Sequence, residues 1–266
     1  MVVTRLGLAA AAAASLAAAS SPAWGVGIFT VQEGSAPDVT VAGTTTWFNG
    51  MYSPQGNPRG HVMGYGPVGG PWTQAMAFGS GARIVARGPG MRRVILGGTG
   101  RYLGATGVVM SRTVNGAFVH RVRYGLPPAG TPRVSKAVLV RLSPAVVTPR
   151  GGPAGVGDGR GIDGTVLDAA GTRVGTYRVD STLVKVFSGG TREWFLGEFT
   201  YALADGSLRA VGPYLRATAS APGVLAASGR VVVSGTGAYA GMRGQVVVLP
   251  PNPDGTSTHS FTLIRG

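Results

Sequence analysis

The chain has no cysteine among its 266 residues, so it has neither a disulfide framework nor a thiolate metal site. Lysine occurs twice, at Lys136 and Lys185, and arginine carries nearly all the positive charge. Acidic residues are few: ten Asp and Glu stand against 24 Lys and Arg, a net charge of +14. No carboxylate lies between Val39 and Gly157, which leaves Glu33 and Asp38 as the only acidic residues of the first half. An acid–base site is therefore expected in the second half, where carboxylates are available. The three histidines, His61, His120 and His259, are isolated, without metal-ligand spacing or an acidic neighbour in sequence, so no metal site is read. Amphipathic helical periodicity is nearly missing, and beyond the first residues no apolar run is long enough to cross a bilayer. Gly-x-Ser-x-Gly and Asn-x-Ser/Thr are both absent, which removes a nucleophile elbow and a glycosylation acceptor.

What is abundant is glycine, 46 residues, and it is organised. Residues 98–107 and 235–244 both read G-T-G-x-Y-x-G-x-x-G, each between two β-branched runs. One motif repeated at long range indicates two copies of a domain rather than a short solenoid. A dinucleotide fingerprint would open a helix with a different glycine spacing, and a phosphate loop would end in Gly-Lys-Ser/Thr, so nucleotide binding is excluded. The glycines instead punctuate strands that bend sharply.

Arg5 followed by the apolar stretch Leu6–Ala19 and the small residues around Ala23-Trp24-Gly25 reads as an export signal over 1–25, hence a secreted, extracellular protein. In the second half, runs at Gly164–Leu167, Arg173–Asp180, Leu183–Phe187, Trp194–Leu203, Ser207–Val211, Gly229–Ser234, Arg243–Leu249 and Ser257–Ile264 predict eight strands, a number that closes into a small barrel. The first half predicts a similar set, including Val39–Phe48 as one strand and a hairpin, Val108–Val114 and Ala117–Tyr124, about Asn115-Gly116. Residues 127–161, rich in Pro and Gly, read as a linker holding one edge strand, Lys136–Leu142, that pattern alone assigns to neither half. The expectation is an all-β chain of two tandem eight-stranded antiparallel barrels, 26–126 and 162–266.

Gly-Gly-Thr-Gly-Arg-Tyr-Leu-Gly-Ala-Thr-Gly at 97–107 resembles the signature of dirigent proteins and of allene-oxide-cyclase-like barrels. Around 160–264 the resemblance extends through Leu167–Gly171, Val174–Thr176, Gly197-Glu198-Phe199, Leu203–Gly206 and Gly212. The Tyr-x-His-Asp strand of plant dirigent proteins is not recognisable. The resemblance implies antiparallel barrels with an apolar cavity, assembly into a homo-oligomer, and a cofactor-free coupling or cyclisation of a small apolar or phenolic ligand.

On the Trp194–Leu203 strand, Trp194, Glu198 and Thr200 share one face, Phe195, Phe199 and Tyr201 the other. Glu198 and Asp180 are the expected acid–base residues, and Trp194, Phe199, Tyr201 and Arg216 the expected ligand contacts. Tyr102 and Tyr239, at matching motif positions, are expected to pack across the glycine bends with their hydroxyls on backbone. A rival reading is a non-catalytic surface protein whose basic first half grips an acidic wall polymer. A third makes only the second barrel functional. No basic run with interleaved aromatics indicates nucleic acid.

Overall fold

A computed structural model describes residues 25–34, 38–187, 190–217 and 227–266; the export signal read at 1–25 lies, apart from Gly25, outside them. The first barrel is built from β1 (Gly25–Glu33), β3 (Thr44–Tyr52), β4 (Pro58–Pro67), β5 (Pro71–Phe78), β6 (Arg83–Pro89), β7 (Arg92–Thr99), β8 (Thr106–Val114) and β9 (Ala117–Leu126). Consecutive strands from β3 to β9 pair antiparallel; β1 then pairs with β9 along its length and meets β3 at Glu33↔Met51, which closes the cylinder. A three-residue strand, β2 (Val39–Val41), lines the outer edge of β3.

The second barrel repeats this plan. Its strands are β10 (Arg133–Leu142), β12 (Gly159–Leu167), β13 (Arg173–Val186), β14 (Arg192–Leu203), β15 (Gly206–Ala217), β16 (Ser228–Gly235), β17 (Met242–Pro251) and β18 (Thr256–Arg265), with β11 (Val146–Thr148) as the short extra strand on β12. The first strand, β10, pairs with both β18 and β12 and closes the ring. Two closed eight-stranded antiparallel barrels therefore stand in series.

Two local readings change, and one left open is assigned. Val39–Phe48 is broken by a turn at Ala42-Gly43, both with positive φ, into β2 and β3. Arg173–Asp180 and Leu183–Phe187 form one strand, β13, carried past a register shift beside Leu183. The edge strand within 127–161 belongs to the second barrel as β10, so the stretch joining the barrels is much shorter than the Pro/Gly-rich segment suggests. The strand count of eight survives because merging two predicted strands offsets the addition of β10.

At the repeated motif each strand runs into a single 3-10 turn, Gly100–Tyr102 or Gly237–Tyr239, before the next strand begins. Tyr102 packs against Phe29, Phe78 and Tyr124 inside the first barrel. Tyr239 is also buried, but its hydroxyl donates to the Asp205 carboxylate at 2.8 Å rather than to backbone, because the β14–β15 turn brings that side chain to the corner.

The barrels meet side to side. Met63, Ala75 and Val85 on β4–β6 pack against Val184, Leu196, Val211 and Val231 on β13–β16. Phe48 extends this contact, its ring 6.4 Å from Trp194 and 6.2 Å from Phe187. Strands at the contact are therefore apolar on both faces, one filling a lumen and the other covering the neighbouring barrel.

Candidate functional site

The expected second-barrel residues do not converge. Glu198 lies on the outer face of β14, where it takes ion pairs from Arg209 and, across the interface, from Arg87 of the first barrel. Burial alone would raise its carboxyl; hydrogen bonds from Arg209 and Arg87 hold it below the usual range. Asp180, its cross-strand neighbour, is exposed and bound by Arg178 at 2.9 Å. Trp194 belongs to the inter-barrel contact. Phe199 and Tyr201 do face the lumen, fully buried in the core of the second barrel. Arg216 sits at the lumen mouth with Glu193, 3.3 Å away. The interior alternation on β14 is as expected, but the carboxylate is on the other face.

The acid–base cluster is in the first barrel, built on residues whose inward phase follows from strand alternation. Glu33 at the end of β1 is buried, and its Oε1 lies 2.5 Å from His120 Nε2 on β9. Its Oε2 accepts from Asn49 Nδ2 at 2.9 Å. The other ring nitrogen, His120 Nδ1, is 2.7 Å from Ser111 Oγ on β8. Arg93 Nη1 donates to Ser111 Oγ at 3.0 Å and to Gln74 Oε1 at 2.9 Å. With the imidazole neutral, one assignment satisfies the chain: Nε2–H donates to Glu33, Nδ1 accepts the Ser111 hydroxyl, and Ser111 accepts from Arg93.

Glu33 and Arg93 give this lumen one buried charge of each sign. Burial lowers the Arg93 guanidinium, and the Glu33 charge opposes that. Above the chain Trp47 and Trp72 stand edge to face, 5.5 Å apart, with the Arg93 guanidinium 5.9 and 5.5 Å from their rings. The Trp47 ring has room because Gly64 lies opposite: a Cβ there would be 2.1 Å from it. Trp47, Trp72, Arg93, Ser111, Phe118 and His120 line a pocket with Asp38 at its edge, and about 20 Å³ of it is free. That is close to the space of one water. Desolvation, then the charge of Glu33, pushes the Asp38 carboxyl up.

The second lumen holds a different buried histidine. His259 Nδ1 is 2.8 Å from the Tyr201 hydroxyl, and burial, then the charge of Arg230, pushes its imidazole well below its ordinary value of 6.5. A histidine whose folded pKa is depressed takes up its proton first in the unfolded chain. Stability is then complete above the ordinary value and falls as pH drops below it, by about 1.4 kcal/mol per pH unit until the folded pKa is reached. Acid denaturation as pH falls below 6.5, followed by fluorescence, should show this slope. His259→Gln, which can still accept from Tyr201, should flatten it; an unchanged slope would assign the acid sensitivity elsewhere.

No family profile matches the chain, and no curated protein matches its sequence. Among solved structures, a pyocyanin demethylase matches 49% of this chain and 99% of its own at 21% identity and a TM-score of 0.40. A nonspecific haem-binding cyclase of neoabyssomicin biosynthesis matches 52% of this chain and 66% of its own, at 18% identity and a TM-score of 0.38. An exo-specific intermolecular Diels-Alderase matches 50% of this chain and 98% of its own, at 14% identity and a TM-score of 0.37.

Proposed function

We propose that the first barrel binds a small aromatic or phenolic molecule and moves a proton on it, steering its cofactor-free cyclisation, or the coupling of phenoxy radicals generated by a separate oxidase, in the manner the dirigent resemblance implies. The observation that supports this is the unbroken chain from Glu33 through His120 to Ser111, ending beneath two tryptophans and a buried arginine. Both imidazole nitrogens are engaged, so His120 reaches a ligand only through Ser111. Ser111 Oγ would pass its proton to His120 Nδ1 while taking one from the ligand, and Glu33 would stabilise the imidazolium so formed. Arg93 would hold the negative charge developing on a ligand oxygen. The free space is small, so binding requires the rings of Trp47, Trp72 or Phe118 to move aside. Export of the protein belongs to the same proposal.

Titration with 4-nitrophenol tests the reading, because its ionisation is visible and tryptophan fluorescence reports its binding. The wild-type protein should show saturable quenching and a shift in the phenol's ionisation. Ser111→Ala should keep the quenching and lose the shift. Absence of saturable quenching, or an equal shift in the variant, would overturn the proposal. A second reading, that this barrel grips an acidic polymer, is supported by exposed Arg92, Arg112, Arg121 and Arg123 on the outer face of β7–β9. Salt-sensitive retention on an anionic resin by a variant with all four replaced would count against it.

A further inference from the structure

The second barrel carries more buried positive charge than its own side chains neutralise. Arg230 on β16 points into the lumen, is 6% exposed, and stacks its Cζ 3.8 Å from the Phe199 ring centroid. Its polar contacts are the hydroxyls of Tyr177, at 3.5 Å, and Tyr201, and its Nε has no hydrogen-bond partner among the described residues. Arg160 on β12 shares the inward phase, lies 5.6 Å over Phe195, and leaves both Nε and Nη1 without partners. Arg216 lies at the same mouth with Glu193, the one carboxylate of the group. Between them Tyr214 stacks on Phe195 at 5.1 Å and 11°, and its hydroxyl is 2.8 Å from Ser181 Oγ. Arg160 and Ser181 open onto a groove of about 470 Å³. The acidic residues lining that groove, Asp163 and Asp180, are both bound by Arg178.

A desolvated guanidinium without a counter-charge is costly. Arg230 is buried, Arg160 half-buried, and Arg216, half-buried and paired with Glu193, adds a third cation at the mouth, so the group presents more positive than negative charge to an anion. We propose that the mouth of the second barrel is a binding site for a small organic acid. Its carboxylate or phosphate head lies against Arg160, Arg216 and Arg230, and its apolar part against Phe195 and Tyr214. The site is independent of the first-barrel cluster, and the two lumens have opposite character. One couples a buried acid to a histidine; the other presents cations to an oxyanion.

Calorimetry and thermal melting with sodium benzoate, sodium acetate and inorganic phosphate test the proposal on the full chain. One saturable site per chain is expected, with benzoate at least tenfold tighter than acetate and a rise in melting temperature of roughly 5 °C at saturation. Phosphate binding tighter than benzoate would assign the head group as phosphate. The Arg160→Ala/Arg216→Ala double variant should weaken binding at least a hundredfold; exposed Arg133→Ala should not change it. Arg230→Met, which removes a buried charge at similar volume, should melt no lower than wild type without ligand and lose the ligand-induced rise. No saturable binding of any of the three anions, or equal binding by the double variant, would overturn the site.

Discussion

Gly107→Ala and Gly244→Ala should each destabilise their barrel by about 3–5 kcal/mol, the sum of a strained backbone and a steric clash. These are the last glycines of the two motif copies, with φ of +137° and +157°. A Cβ at Gly107 would lie 2.1 Å from the Arg123 carbonyl oxygen, and one at Gly244 2.1 Å from that of Thr262. In both cases the obstructing atom is backbone of the paired strand, β9 or β18, so relief requires the hydrogen-bonded strands to separate. Gly116→Ala separates strain from clash. Its φ is +79°, but nothing lies within 4 Å of the added carbon, so it should cost only about 1–2 kcal/mol. Urea unfolding of the three variants gives the comparison. A Gly107 variant no less stable than the Gly116 variant would remove the steric account of the motif.

That repeat was legible because its requirement is local: glycines at fixed spacing carry the chain from one strand through a 3-10 turn into the next, in both halves. The Asn115-Gly116 hairpin was legible for the same reason, and both residues adopt positive φ. The placement of Glu198 was not legible. Alternation correctly separated it from Phe199 and Tyr201, but an apolar row around a carboxylate looks the same whether it lines a lumen or faces a second barrel. Half of the first-barrel cluster was within reach. A two-residue turn at Asn115-Gly116 pairs Val114 with Ala117, and the same register sets Ser111 opposite His120. Glu33 joins them only when β1 closes onto β9, across 87 residues of sequence, and no local pattern encodes that closure. The scarcity of carboxylates in the first half directs the acid–base expectation to the second, although a buried site needs only one.

Glu33→Leu should lower the stability of the first barrel by about 3–5 kcal/mol, the cost of removing one partner from a buried charged set. For a chain of this size that is a fall of roughly 10 °C in melting temperature. The loss has two parts. His120 Nε2–H loses its carboxylate acceptor, and Gln74 Nε2, 3.5 Å away, is itself a donor and cannot replace it. Arg93, 4% exposed, becomes a buried cation, with Asp38 the one remaining carboxylate among the described residues that line the pocket. The second part identifies itself in a double-mutant cycle. Arg93→Met alone leaves Glu33 as a buried anion and should also be costly. Glu33→Leu/Arg93→Met removes both charges and should cost less than the sum of the singles, with a coupling of about 1–3 kcal/mol. Additive losses would show that Glu33 and Arg93 do not compensate each other. The lumen would then be held by its hydrogen bonds alone, and Arg93 would stand as a cation without its counter-charge.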